Sequence, residues 1–206
     1  MKTLRDFLLF LEKEEAQAPR HFSLEQLKGL STFREILIYT DTNLGKPNSE
    51  GHFRKVWDVG EGMVLKLAKL KSYASQNMQE KKNLDCLGTD FAVKLIDYDQ
   101  ANFFWLLEEK LAPVSSEEFL SYFNSKLNQK FYNSMDVILL FTMLTQERAE
   151  FPEHRKIEQN LSETNQWFRE FKSAIQSCNV PSWDFRPANW GRRTSSGDLV
   201  LLDVGF

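Results

Sequence analysis

The chain is short of cysteine and histidine, and it has no long apolar run and no excess of basic charge. Its two cysteines, Cys86 and Cys178, form no CxxC pair and no ligand-spaced set; reduced thiols in an intracellular, cytoplasmic protein are expected. The three histidines, His21, His52 and His154, stand far apart, which leaves no His-based metal site. No stretch approaches the roughly 20 apolar residues that span a bilayer. The apolar run at residues 7–11, with Lys2, Arg5 and Asp6 before it, is too short for a signal peptide, so no membrane partner is expected. A net charge of −3 with scattered Lys and Arg offers no extended surface for nucleic acid. What the chain has in quantity is aromatic: 17 Phe and 5 Trp, expected to fill core. At 206 residues it fits one domain or two small lobes, with a soluble composition of 42% hydrophobic and 27% charged residues.

Leu4, Phe7, Leu8 and Leu11 recur at helical spacing and predict an amphipathic N-terminal helix ended by Pro19. Ser23-Leu24-Glu25-Gln26 predicts a capped second helix closed near Gly29. Ile36-Leu37-Ile38-Tyr39 reads as a strand. A turn-rich stretch follows, then strands at residues 53–59 and 63–67 joined by Gly60-Glu61-Gly62. A helix over 72–87 and strands at 91–98 and 103–108 complete this half. Ser115-Ser116-Glu117-Glu118 caps a helix that opens a mainly helical second half. A buried helix is expected over 135–144. After Pro152, one helix places Ile157, Leu161, Phe168, Phe171 and Ile175 on a single face. A final hairpin turns at Ser195-Ser196-Gly197-Asp198. These patterns predict an α+β fold with residues 1–32 as a helical extension, 33–111 as a β-rich lobe and 112–206 as a helical lobe.

The chemistry-bearing residues cluster late in the chain. Asp184 is followed two positions on by Arg186 and five positions on by Asn189, and a second Asp-x-Gly, Asp203-Val204-Gly205, comes after the hairpin. Phosphoryl transfer requires positioning and charge neutralisation rather than covalent chemistry. Asp184 is suited to accept the proton of an attacking hydroxyl, and Arg186 to neutralise phosphate charge. Asn189 and Asp203 supply the oxygen ligands that Mg²⁺ prefers. Upstream, Lys66 is a charge inside the apolar strand Met63-Val64-Leu65-Lys66-Leu67-Ala68, and Glu80 lies on the following helix. Gly51-His52-Phe53-Arg54-Lys55-Val56 can cover nucleotide phosphates, with Gly51 in the turn, Phe53 as a cap and Val56 beneath the adenine. A plain hairpin turn fits this stretch equally well, because a phosphate loop needs more than one glycine.

Over residues 36–206 the chain resembles the protein-kinase-like superfamily. Trp183-Asp184-Phe185-Arg186-Pro187-Ala188-Asn189 resembles its catalytic loop and Asp203-Val204-Gly205 its Asp-Phe-Gly. Lys66 and Glu80 match its strand-three lysine and helix-C glutamate, and Glu108 to Lys110 its adenine-binding hinge. The resemblance implies a two-lobe fold, with an antiparallel N-terminal sheet and a reduced helical C-terminal lobe, and it implies binding of ATP and Mg²⁺. The implied activity is γ-phosphoryl transfer to a hydroxyl of a protein or small molecule. A nucleotide-binding module without turnover, or an inhibitor, is the alternative reading, and adenylyl transfer is a third. The family's His-Arg before the catalytic Asp is Ser182-Trp183 here, so regulation through a phosphorylated loop is not expected. Ending at Phe206, the chain is expected to lack an activation segment and to resemble reduced kinase-like proteins of bacterial and phage type.

Overall fold

The computed structural model describes residues 21–145, 152–178 and 184–204. The expected N-terminal helix, Ser182-Trp183 and Gly205-Phe206 lie outside them. The chain is α+β and divides into two compact units. One comprises residues up to Asn77 together with Ile96–Lys110; the other comprises Met78–Leu95 together with Leu111 onward.

The first unit opens with α1 (Leu24–Lys28), where the Ser23 hydroxyl accepts the Gln26 N–H at 3.2 Å, as the capping pattern predicts. Residues 36–39, expected as a strand, instead lie within helix α2 (Phe33–Asn43). The reason is local: Thr32 and Glu35 form a reciprocal capping box that starts a helix just before the apolar run. Ile36, Tyr39 and Thr40 are then buried while Ile38 is 56% exposed, a helical phase and not a strand's alternation.

The sheet contains β1 (Ser49–Glu50), β2 (Arg54–Gly60), β3 (Met63–Ala68), β4 (Leu95–Tyr98) and β5 (Trp105–Glu109), in the order β1-β2-β3-β5-β4. The pairs β1/β2, β2/β3 and β3/β5 are antiparallel. The β2–β3 turn runs through left-handed backbone at Gly60, Glu61 and Gly62, which explains its two glycines. Alternation gives this sheet two different faces. Trp57, Leu65, Leu67, Trp105 and Leu107 pack with Leu27 of α1 and Ile36 and Tyr39 of α2. The residues between them point the other way.

The second unit holds the latter part of α3 (Ala74–Leu87), then α4 (Ser116–Leu127), α5 (Ser134–Met143), α6 (Pro152–Thr164) and α7 (Gln166–Ser177). The predicted Ser115/Glu118 capping box starts α4. The single helix expected after Pro152 is two, because Asn165 caps a new start by accepting the Phe168 N–H at 2.9 Å. A small antiparallel sheet of β6 (Ala112–Pro113), β7 (Trp190–Arg192) and β8 (Leu199–Leu201) completes the unit. The expected strand at 91–98 is shorter than predicted. Its first residues pair with β8, the Val93 N–H donating to the Leu201 carbonyl at 2.8 Å and the Leu201 N–H to Phe91 at 2.9 Å. Phe119, Phe123, Phe141, Phe168, Phe171, Phe185 and Trp190 form a contiguous buried cluster. Each such ring contributes about 1.5–3 kcal/mol by leaving water, so the aromatic load does fill core.

Cys86, in the last turn of α3, is disulfide-bonded to Cys178 at the end of α7, with Cα atoms 5.7 Å apart. This corrects the expectation of reduced thiols, on which the cytoplasmic expectation rested. The partners are 92 positions apart in sequence, so only helix packing brings them together. No helix among the described residues is long and apolar enough to cross a membrane.

Candidate functional site

In the first unit, Val56, Lys66 and Glu108 occupy the sheet face opposite α1 and α2. Lys66 stands directly across from Val56 on β2 and Leu106 on β5, which sets the three in one row. Glu108 is two residues along β5 from Leu106 and therefore on the same face. The Lys66 Nζ and Glu108 Oε2 are 2.9 Å apart, with side chains 7% and 0% exposed. Taking two charges out of water is costly unless they are paired, and here a partner of the strand lysine is the glutamate on β5. That pairing was not read from the sequence, where Glu108 stood only as part of a hinge. The alternation of β5 was the available signal, because it places Glu108 on the lysine's side of the sheet.

The other first-unit candidates serve local structure. The Gly51 N–H donates to the Arg54 carbonyl at 2.9 Å, closing the turn between β1 and β2. The Phe53 ring packs edge-on against His52 and Tyr73, with centroids 4.5 and 5.1 Å away. The Lys110 N–H donates to the Gly62 carbonyl at 2.7 Å, and its ammonium pairs with Asp58 at 2.5 Å. A separate cleft of about 430 Å³, lined by Leu27 to Ser31, Tyr98 to Asn102 and Trp105, contains none of the expected site residues.

In the second unit, the late motif forms one hydrogen-bonded loop. Phe185 is buried and anchors it in the aromatic core, and the Trp190 indole N–H donates to the Phe185 carbonyl at 3.1 Å. Between these anchors Pro187–Asn189 makes a single 3₁₀ turn, with the Asn189 N–H donating to the Arg186 carbonyl at 2.8 Å. The Asn189 amide nitrogen donates to the Asp184 carbonyl at 3.1 Å. This leaves the side-chain oxygen of Asn189 as its cation-binding end. The Arg186 Nε lies 2.8 Å from both carboxylate oxygens of Asp184, and a second guanidinium nitrogen also pairs with it. The Arg186 hydrogen bonds hold the Asp184 carboxyl below the usual carboxylate range, against a smaller opposing effect of burial.

The hairpin β7–β8 then returns the chain as expected. The Leu202 N–H donates to the Asn189 carbonyl at 2.8 Å, so Asp203 follows immediately after a residue tied to Asn189. Asp203 is exposed and Val204 is buried. Glu80, fully buried, and Asn83 lie in the part of α3 that belongs to this unit. Asn83 was not singled out in the sequence; it sits one turn after Glu80, on the same helical face.

The described residues contain no group of three or more His, Cys, Asp or Glu able to cage a metal. Asn189 and Asp203 instead offer two oxygen ligands. Such a pair fits Mg²⁺, which keeps waters and is held by one or two carboxylates plus phosphate oxygens. No family model, no curated protein and no solved structure matches the chain.

Proposed function

We propose that the chain is a kinase-like, ATP-dependent phosphotransferase that moves the γ-phosphoryl group to a hydroxyl of a protein or small molecule. The observation that carries this reading is the stitched loop itself. Asp184, Arg186 and Asn189 are hydrogen-bonded to one another, and the Leu202–Asn189 hydrogen bond ties to this loop the residue that immediately precedes Asp203. Asp184 takes the proton as the acceptor oxygen attacks the γ-phosphorus, and the bond from that phosphorus to the β-phosphate oxygen breaks with its electron pair leaving on ADP. Arg186 supplies positive charge for the phosphates. Asn189 and Asp203 would hold Mg²⁺, which neutralises phosphate charge when bound. For Arg186 to serve the phosphate, it must exchange the Asp184 carboxylate for phosphate oxygens.

That same ion pair supports a second reading. With its carboxylate engaged by Arg186, Asp184 is a poor proton acceptor, as suits a module that binds nucleotide without turning it over. Both readings are tested by following γ-labelled ATP with the protein, with and without Mg²⁺, and by identifying the products. Mg²⁺-dependent ADP formation that is lost in Asp184→Asn and Asp203→Asn supports the phosphotransferase. Binding without turnover supports the module, and release of labelled pyrophosphate with AMP bonded to the acceptor indicates adenylyl transfer. Turnover indifferent to both substitutions refutes the roles given to these carboxylates.

A further inference from the structure

Asn83 is 3% exposed and lies on α3. Its amide nitrogen donates to the Val204 carbonyl at 2.5 Å, a contact across 121 positions of sequence. Its amide oxygen accepts from Gln79 Nε2 at 2.9 Å, which fixes which end of the side chain faces Val204. On the other side of Asp203, the Leu202 N–H is bound to the Asn189 carbonyl at 2.8 Å. Asp203 is therefore bracketed: the residue before it is tied to Asn189, and the residue after it is tied to α3. The helix that provides the second tie is itself held in this unit by Leu84, Leu87 and the Cys86–Cys178 bond.

We infer that Asn83 is the positioning residue of the metal ligand Asp203, holding the Val204 carbonyl and so fixing the backbone that carries the Asp203 carboxylate. This inference rests on the phosphotransferase reading for the identity of the ligand. A carboxylate between two fixed backbone points meets a cation without first being ordered, and groups that orient a ligand from behind are typically worth about 10–100-fold in metal affinity. An exposed aspartate released at one end loses that advantage.

The test uses the full chain with Mn²⁺ as the probe, read as loss of the free-ion electron paramagnetic resonance signal at a fixed concentration of a non-hydrolysable ATP analogue. Affinity for a fluorescent ATP derivative is measured alongside in chelator. Two variants are compared: Asn83→Leu, which removes the amide, and Asn83→Asp, which keeps its volume but sets a carboxylate against the Val204 carbonyl. The expected result is that nucleotide-dependent Mn²⁺ binding weakens about tenfold or more, metal-free nucleotide affinity is unchanged, and backbone amide exchange quickens at residues 202–204 alone. Should Asn83→Leu not fold, Asn83→Asp gives the reading. Unchanged Mn²⁺ affinity in a folded variant, with wild type binding normally, overturns the role of Asn83 and leaves the phosphotransferase reading standing. Absence of nucleotide-dependent Mn²⁺ binding in wild type overturns both.

Discussion

Breaking the Cys86–Cys178 bond, by a reducing agent or by Cys86→Ala with Cys178→Ala, is expected to lower the thermal stability of the second unit substantially. The bond joins α3 to α7 across 92 positions. Closing a loop of that size removes roughly 2.1 + 1.5R ln n cal/mol/K of entropy from the unfolded chain, or about 4.6 kcal/mol at 25 °C. That figure is an upper bound. Leu84 and Leu87 on one side and Ile175 on the other already belong to the same core, and residual contacts among such residues in the denatured chain reduce the entropy the cross-link removes. A loss of about 2–4.6 kcal/mol is therefore expected, and at roughly 4 °C per kcal/mol the unfolding midpoint falls by about 8–18 °C. The assay is a thermal melt followed by circular dichroism with and without reductant, alongside thiol titration of native and denatured protein. Two reactive thiols in the denatured, unreduced protein would refute the pairing. Midpoints that agree within about 2 °C, less than the shift from 1 kcal/mol in a small domain, would refute the argument that the bond constrains a long loop.

Three further outcomes follow from the second unit. Arg186→Met should raise the pKa of the Asp184 carboxyl, read by carbon NMR. Because the folded-state value is lowered in the wild type, the associated stability is present above the unfolded carboxylate pKa of about 3.9 and is lost as pH falls through the folded value; the variant should lack this acid-side difference, and an unshifted titration would count against the ion pair. Tyr122, whose ionisation is pushed up to about 12 by burial and then by Asp198, should titrate after the exposed tyrosines in ultraviolet absorbance, with Asp198→Asn bringing it down. Gly191→Ala would set a Cβ 2.5 Å from Leu111 Cβ and 2.7 Å from its Cδ1, and this overpacking should cost about 1–3 kcal/mol in denaturant melts.

Much of the fold was legible wherever the signal was local. The Ser23 and Ser115 caps, the Gly60-Glu61-Gly62 turn and the hairpin returning toward Asn189 all depend on residues a few positions apart. At residues 36–39 two local signals compete. Ile36 and Ile38 carry strand propensity, but the Thr32/Glu35 capping box just upstream fixes a helix start, which outweighs a weak preference. The grouping of Asp184, Arg186 and Asn189 was legible from spacing because one short turn contains them.

The sequence by itself therefore determined the Ser23 and Ser115 helix starts, the turns and the loop that carries the candidate carboxylates, since each is set by neighbours along the chain. Tertiary structure decided the partners: Glu108 beside Lys66, Asn83 on the Val204 carbonyl, and Cys178 bonded to Cys86. These contacts span 42 to 121 positions. No periodicity or motif encodes such pairings, because they exist only once burial has packed strand against strand and helix against helix.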